Sequence, residues 1–225
     1  MTAVRQRSIE NELADGKANG FNIHPELFAT IYLVRHGETV WNKKDILQGQ
    51  LDSALTTLGK RQAEMLAKEF KGVDFSAVFS SDLSRARRTA EITAMERKLA
   101  VKTSQLLRER NWGRFDGKQA SIYRNQAKEM LQKYEKLSEE EQWRFKAFPD
   151  IESNEEVFAR FMAFLREVAV AYRGKTILVV SHLDVLRTLL IHLGCHPRDI
   201  DNMACIKLLS DGVNIVLDKT RGITM

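Results

Sequence analysis

An α/β fold, built as a three-layer doubly wound and mostly parallel sheet with an antiparallel edge strand, is predicted by three observations. Short apolar runs alternate with helical patterns along most of the chain. One run, "KTILVVS", is apolar without a break, as a strand buried on both faces of a parallel sheet requires. Near the end, "CIKLLSDGVNIVLD" sets two short runs around Asp-Gly, the signal of an antiparallel hairpin.

Taken in order, residues 1 to about 27 read as a polar arm, because the turn signals "DGKANG" and "HPE" interrupt it before any periodic segment begins. Residues 28–225 are expected to form a single domain. "FATIYLV" reads as a strand, "TLGKRQAEMLAKEF" as a helix and "FSAVFS" as a second strand. "DLSRARRTAEITAMERK" is a helix for which Ser81 offers an N-cap, and "VKTSQLL" is a further strand. Residues from 119 to about 150 are charged and helical in composition, and are expected to be an insertion laid over the core. "SNEEVFARFMAFLREVAVAYRG" carries a capping box, Ser153 with Glu156, and an apolar stripe through Val157, Phe158, Phe161, Phe164, Leu165 and Val168, with Gly174 as its stop. "HLDVLRTLLIHLG" is the helix that follows "KTILVVS".

Composition excludes several function classes. Of the 225 residues, 44% are hydrophobic and 29% charged, which suits a globular protein with a real core. The longest apolar runs fall far short of the roughly 20 residues that a membrane-spanning helix needs. No apolar h-region opens the chain, so a cytoplasmic protein is expected. Cys195 and Cys205 form neither a disulfide framework nor a metal-binding spacing. The net charge of +5 admits nucleic acid or a small acidic ligand as partner. Because the basic residues are scattered and interleaved with acids, and no nucleic-acid motif occurs, the small acidic ligand is favoured. Oligomeric state is left open.

In open α/β sheets, ligands bind beyond the carboxyl ends of the strands. The first strand is followed there by Arg35, His36 and Gly37, the second by a helix with Arg85 in its first turn, and "TILVVS" by His182 at the start of a helix. Two guanidiniums, two imidazoles and a helix N-terminus in one crevice call for an anion, and phosphate matches the arginine fork. A neutral histidine nitrogen is a competent nucleophile toward phosphorus, and the loop "LLRERNWGRFDG" supplies Glu109 as a candidate proton donor for the leaving oxygen.

The blocks "RHGETVWN", "QGQLDSALTTLGKRQAE", "FSSDLSRARRTAE", "LLRERNWGRFDG", "ESNEEVFARF" and "LVVSHLDVLR" occur in register from about Thr30 to Leu217. In this they resemble the histidine phosphatase superfamily, the phosphoglycerate mutase-like fold. The resemblance implies that His36 is the nucleophile that becomes a phosphohistidine. It implies that Arg35, Arg85 and His182 clamp the phosphoryl oxygens and that Glu109 acts first as general acid, then as base for water. Asn42 and Gln48 match positions lining the phosphate pocket, and Gly37 and Leu183 are assigned to substrate contact beside them. Members need no metal, and no cofactor is expected. The partner implied is a small phosphorylated substrate.

Departures from the family pattern are specific. Leu183 and Asp184 follow His182 where many members have two glycines, and "PDIES" carries Asp150 and Ile151 in place of two more. Asp184 reads as a specificity or helix N-terminus residue, Arg88 as half of a surface ion pair, and Trp41 and Trp112 as packing anchors. His24, His192 and His196 read as surface or satisfied histidines. A metal-independent phosphatase is the expected function. The alternatives are a phosphoglycerate mutase-type phosphotransferase, which returns the phosphoryl group to the product, and a non-catalytic phosphate-binding module. The shorter insertion, and a chain that ends soon after "DKTRG", favour hydrolysis.

Overall fold

Alternating burial along the central strands decides the architecture. The computed structural model describes residues 25–225 and a short antiparallel pairing of Lys17–Ala18 with Phe21–Asn22. The expected polar arm and His24 therefore lie almost wholly outside the described residues. Strands β1 (Ala29–Arg35), β2 (Ala77–Ser81), β3 (Val101–Ser104), β4 (Thr176–Ser181), β5 (Asp199–Ser210) and β6 (Ile215–Thr224) form one sheet in the order β3-β2-β4-β1-β5-β6. The first four in that order run parallel, whereas β5 and β6 are antiparallel and close one edge as a hairpin. This is the antiparallel hairpin edge that the Asp-Gly signal predicts. Its two strands are longer than the apolar runs, because the pairing continues into polar residues at both ends.

The helices are α1 (Val40–Lys43), α2 (Thr57–Glu69), α3 (Ser84–Ala94), α4 (Ala120–Gln126), α5 (Lys128–Tyr134), α6 (Glu139–Arg144), α7 (Asn154–Ala171) and α8 (Leu183–His192). On one sheet face Ile31, Leu33, Ile177 and Val179 pack against α7 and α8, through Phe161, Leu165, Leu186 and Leu189. On the other face Val34, Leu178 and Val180 meet α2 and α3, through Ala63, Leu66, Ala86 and Ala90. Successive strand residues feed opposite cores, which is why β4 must be apolar throughout. Each fully buried Leu, Ile, Val or Phe here stabilises the fold by about 1.5–3 kcal/mol relative to exposure. The three short helices α4, α5 and α6 occupy the segment expected to be helical.

Capping separates what the sequence shows from what it conceals. Ser153 caps α7 as expected, its hydroxyl accepting from the Glu156 N–H at 3.2 Å while the Glu156 carboxylate accepts from the Ser153 N–H at 2.8 Å. Ser81 does not cap α3. It ends β2, and its Oγ accepts from the Leu83 N–H (3.3 Å); Leu83 itself stands at the cap with no side-chain capping bond. β3 stops at Ser104 and Gln105–Leu107 turn as a 3-10 helix, since the Ser104 hydroxyl takes the Leu106 N–H (3.3 Å). No helix of the described residues is long and apolar enough to cross a membrane.

Candidate active site

Register brings the two histidines together. Arg35 of β1 lies opposite Ser181 of the parallel neighbour β4, so His36 and His182, the next residue of each, emerge side by side with ring centroids 5.2 Å apart. Both are buried. The His36 Nδ1 stands 2.8 Å from the Gly37 carbonyl oxygen. A carbonyl only accepts, so Nδ1 carries the proton and Nε2 keeps its lone pair. Burial, reinforced by the Arg85 and Arg35 charges, holds the His36 pKa well below its ordinary value, and the imidazole is neutral. His182 is lowered in the same way, by burial first and then by Arg85 and His36.

The loop that carries His36 is held by main chain on two sides. A Cβ on Gly37 would stand 2.6 Å from the Gly59 carbonyl oxygen, and one on Gly59 2.1 Å from that of Glu38. Only glycine at both positions lets α2 pack this closely. On the far side, the His36 carbonyl accepts from Asn202 Nδ2 (3.1 Å) and the Met203 N–H (3.4 Å). These donors are aimed by a bulge: the β5–β6 register shifts between Ile200 and Cys205, and Met203 adopts φ 64°.

Cations stand around the histidines with donors to spare. Arg35 donates an Nη1–H to the Ile200 carbonyl. Arg85, 1% exposed, donates to the Gly49 (2.7 Å) and Leu51 (2.6 Å) carbonyls, and Asp52 lies 3.6 Å away. Of the five buried side-chain polar atoms without a partner among the described residues, four are Arg35 Nε, Arg85 Nε and both His182 nitrogens. An unmet buried polar group costs about 1–3 kcal/mol. A cluster of them in one place marks a site built for an anion.

Glu109 is set into this region by a braced loop. Arg160 of α7 forks onto Glu152 (both contacts 3.0 Å) and donates to the Leu106 (3.0 Å) and Arg108 carbonyls, while Arg108 grips Asp82 at 2.8 and 2.6 Å. The Glu109 Oε1 accepts from the backbone N–H of Arg110 (2.8 Å) and of Asp184 (3.1 Å) in the first turn of α8. The helix N-terminus expected to face phosphate is thus shared with a carboxyl group. Burial first, then the Asp184 charge, raises the Glu109 pKa to about 7 against the pull of Arg110 N–H, Arg85 and Arg35.

A cavity of about 490 Å³ opens over these groups. Arg35, His36, Asn42, Gln48, Glu109 and Leu183 line it. Gly37, Arg85 and His182 are not among its lining residues, but each adjoins one that is: Gly37 follows His36, the His182 ring lies 5.2 Å from that of His36, and Arg85 donates to the Gly49 carbonyl. The Thr39 hydroxyl lies 3.0 Å from both Asn42 Oδ1 and Gln48 Oε1, tying these two residues together. Among the described residues no group of three or more His, Cys, Asp or Glu could hold a metal ion.

A family model described as histidine phosphatase superfamily (branch 1) matches residues 31–218. The chain belongs to this superfamily. It is 34% identical over 194 residues to phosphoglycerate mutase-like protein 4 of Arabidopsis thaliana, covering 84% of this chain and 79% of the relative. It is 36% identical over 179 residues to the probable phosphoglycerate mutase GpmB of Yersinia pestis (strain Pestoides F), covering 75% and 77%. The phosphoglycerate mutase structure from Bacillus anthracis str. Sterne superposes with a TM-score of 0.74 at 25% identity, over 87% of this chain and 93% of that one.

Several residues of this histidine phosphatase site have no signal in the sequence. Trp41 and Trp112, expected as packing anchors, line the cavity, as do Tyr123, Asp199 and Asn202. Asn202 arrives through the β5 bulge, which is a long-range register effect, and Asp199 at the start of β5, paired with Thr224. Asp184 is buried, with Arg110 Nε at 3.3 Å and Arg187 Nη1 at 3.5 Å. Arg88 pairs with Glu91 at 3.1 Å on the surface, as expected. His192 stacks on Phe158 with centroids 4.1 Å apart and does not line this cavity.

Proposed function

We propose that this member of the superfamily is a metal-independent phosphatase that hydrolyses a small phosphomonoester through a phosphohistidine on His36. The observation that carries the reading is the neutral His36 ring, its Nδ1–H committed to the Gly37 carbonyl and its Nε2 free to attack. In the first step the Nε2 lone pair forms the N–P bond as the ester P–O bond breaks, and protonated Glu109 gives its proton to the departing oxygen. In the second step Glu109 takes a proton from water, the water oxygen attacks phosphorus, and the N–P bond breaks to release phosphate and neutral His36. Arg35, Arg85 and His182 supply donors for the three non-bridging oxygens as charge builds on them. Asn42, Gln48 and Leu183 contact the substrate.

Hydrolysis is favoured over a mutase reading by the pairing of the distal cations. A mutase that rephosphorylates a monophosphate must hold a bisphosphate, whose second phosphoryl group needs cations of its own. Arg124 is 2.7 Å from Asp45 and Arg187 is 3.5 Å from Asp184, so both arginines of the outer cavity already face carboxylates. The mutase reading draws its support from the relatives that bear that name.

The test is turnover of an aryl phosphate by the purified chain in excess chelator, with His36→Ala alongside. Activity is expected to survive chelation and to vanish in the variant. Activity lost to the chelator, or retained by His36→Ala, would refute the mechanism. Interconversion of phosphoglycerates faster than phosphate release would replace hydrolysis by transfer.

A further inference from the structure

Two buried carboxyl groups meet at the start of α8, and they are not treated alike. Glu109 accepts only backbone N–H groups, those of Arg110 and Asp184. Asp184 has two guanidiniums. Arg110 reaches it through Nε at 3.3 Å, and its orientation is fixed because Nη1 and Nη2 are held by the Glu152 carbonyl and Asn154 Oδ1, each at 2.6 Å. Arg187, one turn along α8, reaches it at 3.5 Å.

The remaining charges around the pair come from other elements. Arg35 ends β1 and Arg85 lies in α3; both favour ionised Glu109 from across the site. Neither has a carboxylate hydrogen bond to Glu109. Tyr123 of α4 and Asp199 of β5 also face this region, the first sensing Asp184 and the second Arg35. His36 and His182 are neutral. Asp184 thus has two guanidinium partners where the Glu109 carboxyl has none, an arrangement that favours the proton on Glu109.

We propose that Asp184 is a positioning residue that keeps the proton on Glu109, by claiming the Arg110 and Arg187 guanidiniums and presenting its own charge to the Glu109 carboxyl. The substrate class this serves is the phosphate ester of an aliphatic alcohol, whose alkoxide leaves only with a proton; a good aryl leaving group needs none. The inference rests on the reading of Glu109 as the general acid.

The experiment compares wild type, Asp184→Asn and Asp184→Glu over pH 5–9, with an alkyl phosphate and with an aryl phosphate of good leaving group. The Glu109 carboxyl is followed in parallel by carbon NMR of Glu-labelled protein, assigned by its loss in Glu109→Gln. In Asp184→Asn the Glu109 signal and the alkaline limb of kcat/KM for the alkyl ester are expected to move down by about one pH unit, a tenfold loss above the limb. The aryl ester is expected to change less than about threefold, because its leaving oxygen draws little on the acid. Asp184→Glu restores the limb. A folded Asp184→Asn protein whose Glu109 signal does not move, or an Asp184→Glu protein that behaves as Asp184→Asn does, overturns the inference. If Asp184→Asn does not fold, Arg187→Gln, half-exposed and removing one cation from Asp184, is expected to move the signal upward, and a downward or absent shift is refuting. Full alkyl turnover by Glu109→Gln would instead remove the acid reading, while the carbon signal still reports on Asp184.

Discussion

Replacing Glu109 by Gln is expected to stabilise the protein at alkaline pH while removing much of its activity. The Glu109 pKa rises from the ordinary glutamate value of 4.5 to about 7. At 1.36 kcal/mol per pH unit that interval corresponds to about 3 kcal/mol. The sign follows from proton binding. Between pH 4.5 and about 7 the native chain holds a proton that the unfolded chain has released, so wild-type stability falls through this window and the penalty is complete above it. Most of this change falls between pH 5 and pH 8 by the same relation. Glutamine mimics the protonated acid, and its Oε1 can still accept from Arg110 and Asp184 where the carboxyl now does, at 2.8 and 3.1 Å. Urea denaturation of both proteins at pH 5 and pH 8 isolates the group, since every other titration is nearly common to the two. The variant is expected to gain about 2–3 kcal/mol on the wild type between these pH values. Stability curves that run parallel across this range would refute the claim that Glu109 is buried as an acid.

Two further substitutions test the brace around the site. Gly37→Ala puts a methyl group 2.6 Å from the Gly59 carbonyl, so the loop must move; a stability loss of about 1–3 kcal/mol is expected. The displaced His36 should also lower aryl phosphate kcat/KM by about 100-fold, and unchanged kinetics in a folded variant would show that the contact does not set the nucleophile. Arg160→Gln removes the fork on Glu152 and the donors to the Leu106 and Arg108 carbonyls. Its expected cost is about 2 kcal/mol by thermal or urea melts, with alkyl phosphate turnover falling more than aryl because the loop that carries Glu109 loosens.

How far the site is legible in the sequence depends on the range of the interactions involved. His36 and His182 are legible because each directly follows an apolar run, and parallel pairing of those runs is enough to bring them together. The Ser153–Glu156 box is legible because it is complete within four residues. Asn202 and Asp199 are not: Asn202 lies in the bulge at 200–205 and Asp199 at the strand start just before it, and the φ of 64° at Met203 has no local mark such as glycine. Ser81 misleads because a serine ahead of a helix looks the same whether or not the strand has ended. The environment of Glu109 is the least legible feature, since it joins a loop residue to the amide and charge of Asp184, 75 positions later in the chain.

The β5–β6 hairpin has a consequence for how such a protein can change. His36 directly follows β1, which lies one strand in from the hairpin and is packed on both faces, whereas Asp199 and Asn202 ride on the antiparallel margin and Tyr123 on a short helix outside the sheet. Alterations at that margin, or in the helices from 120 to 144, reshape the outer wall while leaving β1, β4 and their register intact. On the proposed reading, the reacting groups belong to the middle of the sheet and the groups that meet the rest of the substrate to its periphery, so the outer wall can be rebuilt for a different client molecule without disturbing the reaction.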